Sequence, residues 1–317
     1  MIEATGLAKK FDDFVAVRDL DLHVAQGELL ALLGPNGAGK TTTVRMLGAI
    51  LRPSAGTARV NGFDVVRQAT DVRRSIGMLT EQPGLYPRMS GLEYLTFYGR
   101  IYGLDDEESR RRTLTLFERF GMPDVAQRRL GTYSKGMRQK VGLIRSMLHY
   151  PAVLLLDEPT SAMDPYSARL VRDAIHVLRR DRRSIILCTH NLAEAEELAD
   201  RIAIISQGKI VCVGTDKELK QRVLGPPLFE LHTDAPLNGR GDDGDTTSAG
   251  QLGQIVDIVG IDGNMIRFRT DRPQEQNPLV VRKISEMGAG VVSLRERPRS
   301  LEEVYLKVLG EDAREAV

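Results

Sequence analysis

Cysteine is scarce in this chain: only Cys188 and Cys212 occur among its 317 residues. Both lie in apolar, strand-like runs, which suits buried thiols in a reducing compartment and excludes a disulfide framework. Long hydrophobic runs are missing as well. None approaches the ~20 apolar residues of a membrane-spanning helix, so any membrane association is expected to be peripheral, through a partner. There is little excess charge of either sign. A formal net charge of +1 gives no overall field for nucleic acid. No CxxC pair, no sustained heptad pattern and no internal repeat occurs. Met1-Ile2-Glu3-Ala4-Thr5 lacks a basic segment leading into an apolar one, so no secretory signal is expected. What is present is ordinary for a soluble globular protein, with 42% hydrophobic and 27% charged residues. The length suggests about two domains.

The strongest positive signal is Gly34-Pro35-Asn36-Gly37-Ala38-Gly39-Lys40-Thr41-Thr42. It fits G-x-x-x-x-G-K-[ST]. It follows the apolar run Leu29 to Leu33, which reads as a buried strand, and precedes Thr43 to Leu47, which reads as a helix start. Strand, glycine loop and helix are the context of a phosphate-binding P-loop. Glycines let the backbone wrap an anion, and the helix N-terminus presents free N–H groups to it. Lys40 can reach the β- and γ-phosphates of a nucleoside triphosphate, and the Thr41 hydroxyl can ligate Mg²⁺.

A second signal is the apolar strand Val153 to Leu156 that ends in Asp157-Glu158. It places a carboxylate at the C-terminal edge of the sheet, where Asp157 can hold Mg²⁺ and Glu158 can activate water. A third is Tyr133-Ser134-Lys135-Gly136-Met137-Arg138. Ser134 is a good N-cap and Gly136 allows close backbone approach, so the segment can form a further anion site at a helix start.

Around these motifs the pattern alternates between strand and helix. Asp19 to Val24 has period two and reads as a half-buried strand, so an antiparallel β layer is expected beside a parallel core. From about Leu92 apolar residues recur at three- and four-residue spacing, with Leu114, Phe117 and Phe120 as one stripe of a helical insert. Ala152 to Leu156, the helix Tyr166 to Arg180 and Ser184 to Cys188 read as a βαβ crossover. Ile202 to Ile205 and Ile210 to Val213 read as a closing hairpin. Pro226-Pro227 marks a boundary. Beyond it, strands are expected at Phe229 to His232, Ile255 to Val259, Met265 to Phe268 and Val291 to Leu294, with helices at Leu279 to Met287 and Leu301 to Leu309. Asn238 to Gly250 reads as a mobile loop. Its Arg240-Gly241-Asp242 reads as a plain surface tripeptide, and Asp242, Asp243 and Asp245 as solvated charge rather than a calcium loop.

Together these residues resemble the ATPase subunits of ABC transporters, over about residues 1–220. The resemblance implies an α/β P-loop NTPase core with an antiparallel β layer and a helical subdomain at about 90–150, within a cassette of residues 1–222. Residues 223–317 would form a small C-terminal α+β accessory domain. Gly34 to Thr42 corresponds to the family's Walker A segment, Asp157 and Glu158 to its Walker B pair, and Ser134 to Met137 to its signature. Phe11 resembles the aromatic that stacks on adenine, with Phe14 as the competing residue. Gln82 resembles the Q-loop glutamine that touches Mg²⁺. Ser161-Ala162-Met163-Asp164 corresponds to the D-loop and His190 to the switch histidine.

By resemblance, then, Lys40, Glu158 and His190 carry catalysis; Thr41, Gln82 and Asp157 hold the metal; ATP and Mg²⁺ are the cofactors. The signature is expected to act in trans, in a homodimer or a heterodimer of such cassettes. An integral membrane permease subunit is the implied partner, without nucleic acid, at the cytoplasmic face of the membrane. Tyr86, Tyr94, Leu95 and Tyr98 are candidate contacts to that subunit. The signature departs from the common pattern at Lys135 and Met137. Lys135 either adds positive charge near a partner's γ-phosphate or points to solvent. Signatures of this S-x-G-M kind resemble the exporter branch, and the ending Ser300 to Leu306 resembles accessory domains of antibiotic- and lipid-exporting subunits. A soluble superfamily member acting on ribosomes or DNA, and an importer ATPase with a regulatory tail, are the alternatives.

Overall fold

The computed structural model describes residues 1–161, 163–179, 182–236 and 248–315. Of the loop expected at Asn238–Gly250, residues 238–247 with the Arg240 to Asp242 tripeptide lie outside the described residues, as does Ala162 of the D-loop, whereas Ser248–Gly250 begin a short helix instead. Two compact units emerge, Met1–Asp216 with Val308–Val317, and Lys217–Lys307.

The first unit is built on two sheets. Strands β1 (Ile2–Phe11), β2 (Phe14–Val24), β4 (Ala55–Val60) and β5 (Phe63–Asp64) form an antiparallel sheet in the order β2-β1-β4-β5. The other is six-stranded. It takes β3 (Leu29–Leu33), β6 (Ile76–Leu79), β7 (Val153–Asp157), β8 (Ser184–Thr189), β9 (Arg201–Ser206) and β10 (Lys209–Gly214) in the order β10-β9-β3-β8-β7-β6. All its neighbours are parallel except the β9–β10 hairpin. Both faces are covered, which is why its central strands read as continuous apolar runs. Alternation still sorts the side chains. Val153 and Leu155 of β7 and Ile186 of β8 join the core that includes β1 and helix α1 (Lys40–Leu47), whereas Leu154, Leu156 and Leu187 face the opposite core.

The opposite core is closed by helices. Helix α2 (Ala69–Ser75) precedes β6, and α3 (Gly91–Ile101), α4 (Asp106–Arg119) and α5 (Lys135–Met147) form the helical insert. Helix α3 starts at a capping box: Ser90 Oγ accepts from the Glu93 N–H at 3.1 Å, and Glu93 Oε2 accepts from the Ser90 N–H at 2.7 Å. Helices α6 (Pro165–Arg179) and α7 (Leu192–Leu198) follow β7 and β8, so the expected crossover is present.

Some expectations change at the level of single side chains. Leu114 is exposed, whereas Thr113, Leu116, Phe117 and Phe120 are buried. The stripe of α4 follows the i, i+3, i+4, i+7 rule from residue 113 instead of strict three-residue steps. Tyr94 and Leu95 are fully buried in the core, so they do not offer the partner contact expected of them; Tyr86 is exposed. Cys188 is buried as expected, but Cys212 is only half-buried, on the edge strand β10.

The second unit begins in α8 (Asp216–Leu224). Its sheet takes β11 (Leu228–Thr233), β12 (Asp257–Asp262), β13 (Met265–Arg269) and β14 (Val291–Glu296) in the antiparallel order β12-β13-β11-β14. Phe229, Leu231, Ile266 and Phe268 of its inner face pack with Val280 and Ile284 of α10 (Pro273–Glu286). The strand expected from Ile255 begins later, because Ile255 and Val256 close the short helix α9 (Ser248–Gly253) by bonding back to the Leu252 carbonyl. Helix α11 (Leu301–Glu315) ends the described chain, with Leu301 and Val304 buried.

Candidate functional site

Strands β3, β7 and β8 run parallel, so the residues that follow their C-terminal ends share one edge of the sheet. Those residues are Gly34 to Gly39, Glu158 and His190. The P-loop turns there because two of its glycines accept no side chain. A Cβ on Gly34 would lie 2.3 Å from the Ile205 carbonyl oxygen, and one on Gly39, at φ +103°, would lie 2.6 Å from that of Ala16. Lys40 opens α1 and is buried. Its ammonium donates to the Gly34 carbonyl at 2.7 Å and to the Pro35 carbonyl at 3.1 Å, and lies 3.3 Å from Glu158 Oε1. Thr41 Oγ1 donates to Asp157 Oδ1 at 3.2 Å.

Glu158 is the junction of the site. Its backbone sits at φ +49°, a left-handed conformation uncommon outside glycine, and such strain concentrates at functional positions. It is held by its N–H, which donates to the Cys188 carbonyl at 2.9 Å. Its Oε2 is 2.8 Å from His190 Nδ1, while Oε1 is buried and makes no hydrogen bond. Burial is the largest influence on Asp157 and pushes its carboxyl up; Thr41 opposes this, and the charge of Glu158 adds to it. Helix α7 carries Glu194, four residues beyond His190 in the chain and a residue the sequence did not single out. It is buried, accepts from Thr160 Oγ1 at 2.9 Å, and is pushed up mainly by burial.

A cavity of about 250 Å³ opens over Gly37, Gly39, Lys40, Thr41 and Glu158, with Asn36 and Thr42 on its wall. Pro35 is exposed and Ala38 buried beneath the loop. Two neighbours differ from the residues picked out by sequence. Phe14 lines this cavity, whereas Phe11, its partner across the β1–β2 hairpin, lies under the Lys9 ammonium. Glu81 lines it, whereas Gln82 lines a separate cavity of about 460 Å³ with Leu85, Lys135 and Arg138. The sequence leaves Phe14 open beside Phe11, and it does not single out Glu81.

The remaining motif residues sit together elsewhere in the first unit. Ser134 caps α5, its Oγ accepting from the Met137 N–H at 3.2 Å. Gly136 is buried against Ser167 of α6, and Met137 packs against the helical core. Lys135 donates to the Ser161 carbonyl at 2.9 Å. Asp164 Oδ1 accepts from the Ser167 N–H at 3.0 Å near the start of α6, and hydrogen bonds from the Ser167 side chain and then its N–H hold the Asp164 carboxyl below its ordinary value. Within one chain, then, the signature and the D-loop are joined to each other, and none of their described residues lines the P-loop cavity.

Comparison with known proteins agrees with this geometry. The profile of the ABC transporter family matches residues 17–161. The daunorubicin resistance ATP-binding protein DrrA3 of Streptomyces coeruleorubidus is 36% identical over 322 residues, covering 99% of this chain and 97% of that protein. The ABC transporter ATP-binding protein NatA of Bacillus subtilis is 41% identical over 224 residues, covering 69% of this chain and 91% of its own length. Among solved structures, an ATP-binding subunit of an ABC transporter superposes with a TM-score of 0.64 at 28% identity, over 71% of this chain and 94% of the other. A dimeric ATP-binding cassette bound to ADP and Pi shares the fold at 23% identity, with a TM-score of 0.62 over 68% of this chain and 98% of that one. With relatives matched along nearly its full length, the chain belongs to the ATP-binding subunits of ABC transporters, and its activity is ATP hydrolysis.

Proposed function

We propose that this ATPase energises a separate membrane exporter, working as a pair of cassettes of about residues 1–222, with residues 223–317 as an accessory domain. The exporter reading is supported by resistance-named relatives aligned over at least 98% of the chain. Among the described residues no helix is long and apolar enough to cross a membrane. On this reading a permease supplies the path and reads the cargo, and the chain acts at its cytoplasmic face.

The observation that carries the catalytic reading is the pair of contacts at Glu158: His190 on one carboxylate oxygen at 2.8 Å and Lys40 near the other at 3.3 Å. Lys40 and the loop N–H groups bind the phosphates, and Lys40 stabilises the charge that develops as the terminal phosphoryl group leaves. Glu158 accepts the proton of the attacking water, and His190 fixes the orientation of that carboxylate. Phe14 or Phe11 supplies the aromatic face for the base. Ser134 and Gly136, at the N-terminus of α5, complete the site from a second copy, and Asp164 keeps the D-loop between them.

The chemistry of the donor set fits Mg²⁺. The Thr41 hydroxyl and the Asp157 carboxylate are hard oxygen donors 3.2 Å apart beside the P-loop, and Mg²⁺ takes few protein ligands and keeps several waters. Gln82, or Glu81 from the same turn, would add a further oxygen. When bound, the ion would neutralise phosphate charge and favour the ionised form of Asp157.

The test is Glu158→Gln with ATP, read by hydrolysis and by size in solution. Loss of turnover with an ATP-dependent dimer is the expected result. Hydrolysis at the wild-type rate removes Glu158 as the base. Isolation of the chain from native membranes with a multi-span protein supports the exporter partner, and its recovery with ribosomes or DNA overturns it.

A further inference from the structure

We propose that Glu194 is a positioning residue for ATP hydrolysis, its buried carboxyl fixing the loop that carries Glu158 against the loop that carries His190. This role rests on the reading of Glu158 and His190 as the working pair. Asn191 caps α7, its Oδ1 accepting from the Glu194 N–H at 3.3 Å. Asn191-x-x-Glu194 has the spacing of a capping box, in which the glutamate would reach back to the N–H of the capping residue. Ser90 and Glu93 make both of those bonds at the start of α3, with Glu93 exposed to solvent. At α7 the second bond is missing. The Asn191 N–H donates to Thr189 Oγ1 at 3.0 Å instead, which releases the Glu194 carboxyl to a different partner.

That partner is Thr160, whose Oγ1 donates to Glu194 Oε1 at 2.9 Å. Thr160 stands two residues after Glu158, and the N–H of its neighbour Ser161 donates to the Glu158 carbonyl at 3.2 Å. Thr189 stands one residue before His190 at the end of β8. Helix α7 thus offers its carboxyl to the turn after β7 while its cap is tied to the end of β8. Glu194 is fully buried, and its Oε2 makes no hydrogen bond. Among the described residues no ion pair reaches it, and Arg172 is engaged by Glu197 at 2.8 Å. Burial pushes its carboxyl up most, hydrogen bonds from the Thr189 and Thr160 side chains oppose this, and the charge of Glu158 pushes it further up. Burying a carboxyl that no cation neutralises is costly, and helix capping does not require it, as the exposed Glu93 shows. What the burial secures is the spacing of two loops whose side chains meet at 2.8 Å, Glu158 Oε2 and His190 Nδ1. A misplacement of about 1 Å in such a pair can cost about 10²-fold in rate.

Steady-state ATPase kinetics of the full chain, run well below its Tm, test this. Glu194→Ala should lower kcat by about tenfold and leave the KM for ATP within about twofold, because no side chain lining the P-loop cavity changes. Glu194→Gln keeps an acceptor for Thr160 and should recover most of the loss. Thr160→Val removes the donor from the other side, and it decides the question if Glu194→Ala does not fold. Both losses express one contact, so the double variant Glu194→Ala/Thr160→Val should be no slower than about the worse single one. A glutamate that only stabilised the fold would lower Tm on removal and leave kcat of the folded protein unchanged, and that result overturns the role. So does Glu194→Gln turning over as slowly as Glu194→Ala, and so do losses that multiply. Wild-type kcat in the Glu194 variants leaves the Glu158–His190 pair standing, whereas wild-type turnover in Glu158→Gln removes that pair and this role with it.

Discussion

Lys135 of the signature donates its ammonium to the Ser161 carbonyl of the D-loop at 2.9 Å. The sequence offered two places for this charge, a partner's phosphate or solvent, and the structure puts it on the chain's own backbone. The bond ties the signature helix to the D-loop within one chain. Lys135→Met keeps the aliphatic stem and removes the donor. Loss of one charged, exposed hydrogen bond should lower kcat by about fivefold. The KM for ATP should change little, because nothing at the P-loop is touched. Steady-state ATPase kinetics check this, and a KM effect without a kcat effect would contradict it.

Glu158 and His190 form a unit, so their losses should not add. Removing a positioned base typically costs about 10²–10⁴-fold in rate. Glu158→Gln and His190→Ala should each fall in this range, and the double variant should be no slower than about the worse single one. ATP binding, measured by fluorescence of a labelled nucleotide, should persist in all three. Rate losses that multiply would show that His190 acts on substrate independently of Glu158.

Which parts of this site could be read in advance follows a physical rule. Lys40, Asp157, Glu158 and His190 were legible because each is fixed by a strand end, and strand ends are written as apolar runs. Glu81 was not, because it sits on a turn that carries no periodic pattern, and Phe14 was legible only as the competitor of Phe11, which it faces across the β1–β2 hairpin. The φ of +49° at Glu158 has no signature in the sequence, since glycine would be the usual residue there. The βαβ order was readable from two continuous apolar runs either side of a helical stretch. Burial of Tyr94 was not, because an aromatic on an amphipathic helix reads equally well as core or as contact surface.

Gly77 joins β6 to the helical insert through an absence. A Cβ there would meet the Ser146 carbonyl oxygen at 1.9 Å and Leu154 Cδ2 at 2.8 Å. Helix α5 can pack so near to β6 only because residue 77 has no side chain. Gly77→Ala forces backbone apart from backbone, and overpacking of this kind costs about 1–3 kcal/mol. Denaturant unfolding should show a lower midpoint with an unchanged slope. Gly37→Ser, where nothing lies within 4 Å, separates packing from backbone effects. It should cost less than Gly77→Ala despite its φ of +83°.

His149 makes stability depend on pH in a direction that can be worked out. Its Nε2–H donates to the Ile76 carbonyl at 2.8 Å, and its ring stacks on Tyr102 with centroids 4.0 Å apart. Burial lowers its pKa most, the bond to Ile76 opposes that, and the charges of Arg112 and Arg183 lower it further. The native state therefore holds this ring neutral at a pH where the unfolded chain has taken up a proton. When the unfolded state binds more protons, stability rises with pH. The contribution of His149 is full above the ordinary histidine value of 6.5 and is lost as pH falls through it towards the depressed native value. His149→Gln keeps an amide donor for Ile76 and removes the titration. Other groups titrate in both proteins and cancel in the difference. Unfolding free energies measured from about pH 7.5 to pH 5 should fall more steeply for the wild type than for the variant. Parallel curves would mean that His149 keeps its ordinary pKa in the native state.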